Sequence, residues 1–150
     1  MIRLIGYGNP GRGDDGLGPA LAARMADMPE VEATSDYQLT VDHALLIADA
    51  RIVVFADAKM NVDTPYEFGP VAASADHDVT SHSLSPQAVL ALCQTLYEHT
   101  PKAFVMGIAG HDFGEVKEGL SPLAKRNLTL ATAFLRDWFA QHTVGGWGHA

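Results

Sequence analysis

Short unbroken apolar runs alternate along this chain with stretches in which apolar residues recur every three or four positions. The first pattern suits strands buried on both faces; the second suits helices that lay one stripe against a sheet. Ile2 to Tyr7 predicts a first strand, closing in glycines. Leu17, Leu21, Met25 and Met28, with Ala20 beside them, define one face of a first helix. Val31 to Asp36 reads as a shorter strand. Val41, Ala44, Leu45 and Ala48 suit a second helix with Thr40 as its N-cap. Ile52 to Ala56 is apolar throughout and stops at Asp57, as expected of a central strand.

Glu67 to Ala72 suits an edge strand, and Ala103 to Ile108 another buried one. Ser85-Pro86 and Ser121-Pro122 each place a capping hydroxyl before a first-turn proline. The helices that follow present Val89, Leu92, Cys93, Leu96 and Tyr97, then Leu130, Phe134, Leu135 and Trp138. Gly145 to Ala150 reads as a frayed tail, with Trp147 a loose end. The sum is an α/β domain of about five strands and four helices containing parallel βαβ units. The chain shows no repeat, low-complexity stretch or linker, so residues 1–150 are expected to form one domain.

Composition narrows the setting. Hydrophobic residues make up 47% and charged residues 19%, ordinary for a chain that buries a core. The start lacks a basic segment followed by an apolar stretch and a cleavage site, and no apolar run approaches the roughly 20 residues that span a bilayer. With a single cysteine, Cys93, no internal disulfide can form, and a cytoplasmic location is expected. Cys93 itself falls on an apolar stripe and is read as core filling. A net charge of −8 without a basic stripe argues against nucleic acid as a partner.

In open sheets of this class, ligands bind beyond the carboxyl ends of the strands. Polar residues collect there: Asn9, Asp14 and Asp15 after the first strand, Asp36 after the second, Asp57 after the third, and His111 after the last. Gly6, Gly8 and Gly11 match the GxGxxG spacing of dinucleotide sites, a weak signal alone. Asp14 and Asp15 would repel the pyrophosphate such a turn must receive, although Asp36 could serve a ribose. Carboxylates in a first helical turn also stabilise the helix dipole without any ligand. Asp57 is harder to explain that way, because a carboxylate at the end of a buried strand must point into the crevice. Together with His82, Asp15 and Asp57 offer two oxygen ligands and one imidazole from three loops, a donor set that suits zinc, nickel or a related divalent ion.

The stretch from Gly6 to Pro19, GYGNPGRGDDGLGP, resembles the N-terminal signature of the nickel–iron hydrogenase maturation proteases. The resemblance continues through Asp36-Tyr37-Gln38-Leu39, Phe55-Ala56-Asp57-Ala58, Ser81-His82-Ser83-Leu84 and Gly119-Leu120-Ser121, in order along nearly the whole chain. It implies a three-layer α/β/α sandwich around a mostly parallel, twisted sheet. It also implies an endopeptidase that removes the C-terminal extension of a hydrogenase large-subunit precursor already carrying nickel. The metal-binding positions carried over are Asp15, Asp57 and His82, with Asp15 standing where some members have Glu. Asp15 and Asp57 are the expected catalytic residues. The resemblance further implies that the nickel is supplied by the substrate and that the isolated protein holds no metal of its own. Tyr37-Gln38-Leu39-Thr40 resembles the branch serving soluble or bidirectional hydrogenases.

Leu4 to Gly11 also resembles the opening of bacterial peptidyl-tRNA hydrolases, but Arg12-Gly13-Asp14-Asp15-Gly16 replaces the segment that carries that family's histidine. The acidity of the chain does not suit tRNA. No GxSxG elbow is present. His77 and His82 lack the helical spacing of an HExxH zinc site, and His111 is taken as a structural residue at the rim. The maturation-protease reading leaves several steps open. The metal could polarise the carbonyl or activate water; alternatively it positions the peptide while an Asp acts as base. Backbone N–H groups from Asn9 to Gly13 are candidate oxyanion donors. A binding module that escorts the precursor uncut is the non-enzymatic alternative.

Overall fold

The computed structural model describes residues 1–60, 62–74, 83–114 and 118–143. His82, His77 and the tail from 145 to 150 lie outside the described residues. Strands β1 (Ile2–Tyr7), β2 (Val31–Asp36), β3 (Ile52–Lys59), β4 (Tyr66–Pro70) and β5 (Lys102–Ala109) form one sheet in the order β2-β1-β3-β5-β4. All pairings are parallel except β4 with β5, which is antiparallel at the edge. That edge strand ends in Pro70, which costs least where one side has no strand to pair with.

Helices cover both faces. α1 (Leu17–Arg24) and α4 (Pro122–His142) pack on one, α2 (Asp42–Leu46) and α3 (Pro86–Tyr97) on the other. The alternation of strand side chains sends Ile52, Val54 and Ala56 to the first cluster and Val53 and Phe55 to the second. This is the three-layer α/β/α arrangement. The first face is closed at its margin by Phe68, Phe104, Phe134 and Trp138, whose ring centroids lie 4.8–5.5 Å apart in stacked and edge-on pairs.

Both Ser-Pro helix starts hold. Ser85 accepts from the Ala88 N–H and Ser121 from the Ala124 N–H, each at 3.1 Å. Val41 stands directly before α2 and makes no side-chain cap bond. The expected cap, Thr40, lies one residue further out, where its hydroxyl accepts from the Asp42 N–H while His43 Nδ1 accepts from the Thr40 N–H at 2.9 Å. The backward bond from His43 is the half of a capping box that Glu ordinarily supplies. The expected faces of α2 and α3 are only partly buried. Ala44, Val89 and Cys93 are covered, but Val41 (61% exposed), Leu45 (62%) and Leu96 (58%) face out. These helices are short or overrun the sheet, so their stripes outlast the layer beneath them.

Candidate active site

β1 runs out to β2 on one side, and the chain then returns across it to β3 on the other. The carboxyl ends of β1 and β3 therefore frame the crevice where the winding reverses, the usual ligand site of such sheets. Three of the expected residues, Asn9, Asp15 and Asp57, come from these two ends.

The glycine turn is tightly built. Gly8 holds φ +140°, and a Cβ there would stand 2.0 Å from the Asp15 carbonyl oxygen. Gly18, on the first turn of α1, has Ala56 O and Tyr7 O at 2.4 and 2.6 Å from its would-be Cβ, so the helix sits directly on the strand ends. Inside the turn the Asn9 N–H donates to Asp15 Oδ2 at 2.7 Å, the Gly11 N–H to Asn9 Oδ1 at 2.9 Å, and the Arg12 N–H to Asn9 O at 3.0 Å. Three N–H groups expected as oxyanion donors are thus committed within the turn, and Pro10 has none. The same commitment removes the cradle that a dinucleotide pyrophosphate would need.

Asp14 and Asp15 are neighbours with opposite roles. Asp14 is fully buried, and its carboxylate accepts from the backbone N–H groups of His111, Asp112 and Ser121 and from the Ser121 hydroxyl, all at 2.7–2.8 Å. Burial would raise its pKa, but the backbone donors of Ser121, Asp112 and His111 together with the Ser121 hydroxyl outweigh it, and the net shift is downward. Asp14 is therefore a tie between the glycine turn, the segment after β5 and the start of α4, not a member of the crevice. His111 contributes its backbone to that tie while its side chain is exposed.

Asp57 is the crevice carboxylate. Its position continues the Val53 and Phe55 side of β3, the α2/α3 face, and Tyr7 continues the Ile5 side of β1 onto the same face. The Tyr7 hydroxyl donates to Asp57, and the Ala58 N–H donates to its Oδ1 at 2.7 Å. Burial, and to a lesser degree the neighbouring Asp15 charge, push its pKa up to about 6 against the lowering effect of those donors and of Lys59. Burial first, and the Asp57 charge and hydrogen bond after it, hold the Tyr7 hydroxyl protonated far above the ordinary tyrosine range. The structure thus brings Asp15 close enough for its charge to act on Asp57. No third histidine, cysteine or acidic side chain completes a metal cage among the described residues. The described chain resumes at Ser83, and the Leu84 N–H donates to Leu39 O within the cluster beneath Asp57.

Asp36 stands apart from this pair. It lines a cavity of about 190 Å3 with Gly8, Pro10, Pro19, Ser35 and Tyr37, and its Oδ2 lies 3.2 Å from Nε2 of the buried His43. Because His43 Nδ1 accepts from the Thr40 N–H, Nε2 carries the proton and donates to Asp36. Sequence reasoning passed over Tyr7 and His43. The signals available were Tyr7's place on the same strand face as Ile5, and the Thr40-x-x-His43 spacing of a capping box.

Fold and crevice define a doubly wound α/β protein with a perturbed carboxylate at its switch point. Among solved structures, a [NiFe] hydrogenase maturation protease HycI from Thermococcus kodakarensis is similar over 91% of this chain and 90% of its own, with TM-score 0.70 and 22% identity. The hydrogenase maturating endopeptidase HybD from E. coli is similar over 90% and 89%, with TM-score 0.72 and 17% identity. A hydrogenase 2 maturation peptidase from a Thaumarchaeota archaeon gives 0.68 and 19% over 93% of this chain. No family profile and no curated protein matches the sequence. The chain has the fold of the hydrogenase maturation endopeptidases.

Proposed function

We propose that this protein is an endopeptidase that removes the C-terminal extension of a nickel-loaded [NiFe]-hydrogenase large-subunit precursor. The observation that carries the reading is Asp57: a carboxylate with pKa about 6, beside Asp15 and bonded to Tyr7, at the switch point of a fold shared with solved maturation proteases. Asp15, Asp57 and His82 engage the nickel that the precursor brings, which fixes the scissile bond over the crevice. Mixed carboxylate and imidazole donors suit such an ion and leave positions for the substrate's own ligands. Hydrolysis then requires that a water lose its proton as it attacks the carbonyl carbon. A positioned carboxylate can take that proton, and we assign Asp57, which Tyr7 and the Ala58 N–H hold in place; its raised proton affinity belongs to the crevice before the nickel arrives. Tyr7 holds the Asp57 carboxylate in place and keeps its own proton throughout. No helix among the described residues is long and apolar enough to cross a membrane. The site of action we assign is the cytoplasm.

The test is the mass of the large subunit after incubation with nickel-loaded and nickel-free precursor. Loss of a C-terminal peptide from the loaded form alone is the expected result. Loss from neither form sinks the endopeptidase reading, and tight precursor binding without cleavage replaces it with an escort role.

A further inference from the structure

A second depression opens on the α2/α3 face beside Asp57. In the β3–β5 register Asp57 pairs with Gly107, and in the β5–β4 register Gly107 pairs with Glu67 and Val105 with Gly69. Strand alternation puts Asp57, Gly107, Val105, Glu67 and Gly69 on one face. A groove of about 280 Å3 lies there, lined by Lys59, Glu67, Gly69, Val105 and Gly107 with Phe68 and Pro70 at the edge strand; Asp57 is not in its lining but is the register partner of Gly107. Its floor is unusually low. A Cβ on Gly69 would meet nothing within 4 Å, and one on Gly107 would stand 2.6 Å from Lys59 Cγ and 3.0 Å from Cε. The missing side chain at 107 lets the Lys59 stem lie flat, and its positive charge acts on Asp57.

Glycine within a strand costs packing and entropy, and one reason for it is close approach by another backbone. Here Gly69 leaves that space open on the edge strand, while the space over its neighbour-strand counterpart Gly107 is taken by the Lys59 stem, which carries the ammonium into the groove. The volume falls just short of the roughly 300–1,000 Å3 typical of small-molecule pockets. The walls offer one donor, the Lys59 ammonium, and one acceptor, the Glu67 carboxylate, matching the carbonyl and N–H of a peptide unit.

We propose that this groove seats the substrate polypeptide next to the scissile bond, main chain down, with Lys59 donating to a peptide carbonyl and Glu67 accepting from a peptide N–H. The proposal rests on the endopeptidase reading and adds to it the path of the chain and the residues that grip it. The grip is uniform: it holds substrate and transition state alike, so its loss raises KM and spares kcat.

The experiment is steady-state cleavage of nickel-loaded precursor by Gly69→Val, Lys59→Met and Lys59→Arg variants. Gly69→Val fills the open floor with a strand-favouring side chain, so the fold is kept. Gly69→Val is expected to raise KM about tenfold with kcat within about twofold of the parent. Lys59→Met is expected to raise KM about tenfold and also to shift the acid limb of the kcat–pH profile upward, because its charge lowers the Asp57 pKa, and Lys59→Arg to restore most of both losses. KM within about twofold in both Gly69→Val and Lys59→Met overturns the groove while leaving the endopeptidase reading intact. If the parent protein cleaves no precursor, that reading fails, and hydrogen exchange across residues 64–72 with and without precursor decides the groove. Protection there supports the seat; unchanged exchange overturns it.

Discussion

Two carboxylates at the same end of the sheet are treated in opposite ways. Asp14, under the start of α4, receives four donors and is held below its ordinary pKa. Asp57, in the crevice, is also withdrawn from water but is less well supplied with donors and faces Asp15, so its pKa climbs to about 6. Full satisfaction makes a charge structural, whereas partial satisfaction leaves it reactive. The molecule separates the two by strand face: Asp14 serves the α1/α4 side and Asp57 the α2/α3 side.

The sharpest break of that contrast is in activity. Asp57→Asn is expected to lower precursor cleavage by about 10²–10⁴-fold, the usual worth of a positioned base, and His82→Ala to abolish cleavage while the protein stays folded. Mass spectrometry and circular dichroism check both; near-parent cleavage in either variant removes that residue from the site. Stability should move the other way. Asp14→Ala strands the donors at Ser121, His111 and Asp112 and is expected to cost about 3 kcal/mol in urea unfolding. Asp57→Asn relieves a desolvated charge and is expected to gain about 1–2 kcal/mol at pH 7. Equal losses in the two variants would erase the distinction.

Acid should separate the pair as well. The folded-state pKa of Asp57 lies above its unfolded value, so its unfavourable contribution is full above about pH 6 and fades as pH falls through that value. Asp14's folded pKa is depressed, so its support is full above the unfolded value of about 3.9 and is lost as pH falls through the folded one. Stability attributable to these groups therefore rises from pH 7 toward 5 and falls in stronger acid. An Asp57 carboxyl midpoint near 4 by carbon-13 NMR on the metal-free protein would contradict this, and so would a midpoint unmoved by Asp15→Asn. The caps should respond less than Asp14 does. Ser85→Ala should cost about 1 kcal/mol, and Ser121→Ala about 2, because Ser121 also serves Asp14.

Much of the scaffold could be read before any coordinates, because burial on two faces writes itself as unbroken apolar runs such as Ile52 to Ala56. The glycine turn and both Ser-Pro starts were equally local signals. What escaped was non-local. Periodicity says that a helix has an apolar stripe but not where the sheet beneath it stops, and so Leu45 and Leu96 were placed inward. Asp14 looked like a partner of Asp15 because adjacency is visible in a sequence, while its donors lie as far as residue 121. Tyr7 gained its role from register with β3, which no window on β1 contains.

The tie from Asp14 to Ser121 spans 107 positions. The glycine turn precedes its anchor by that distance, so a product ending before Ser121 would hold Asp15 on a turn that lacks those donors. Contacts of such long range slow folding but make it cooperative. The position of Asp15 at the crevice is thereby made to depend on the completed fold and not on the glycine turn alone.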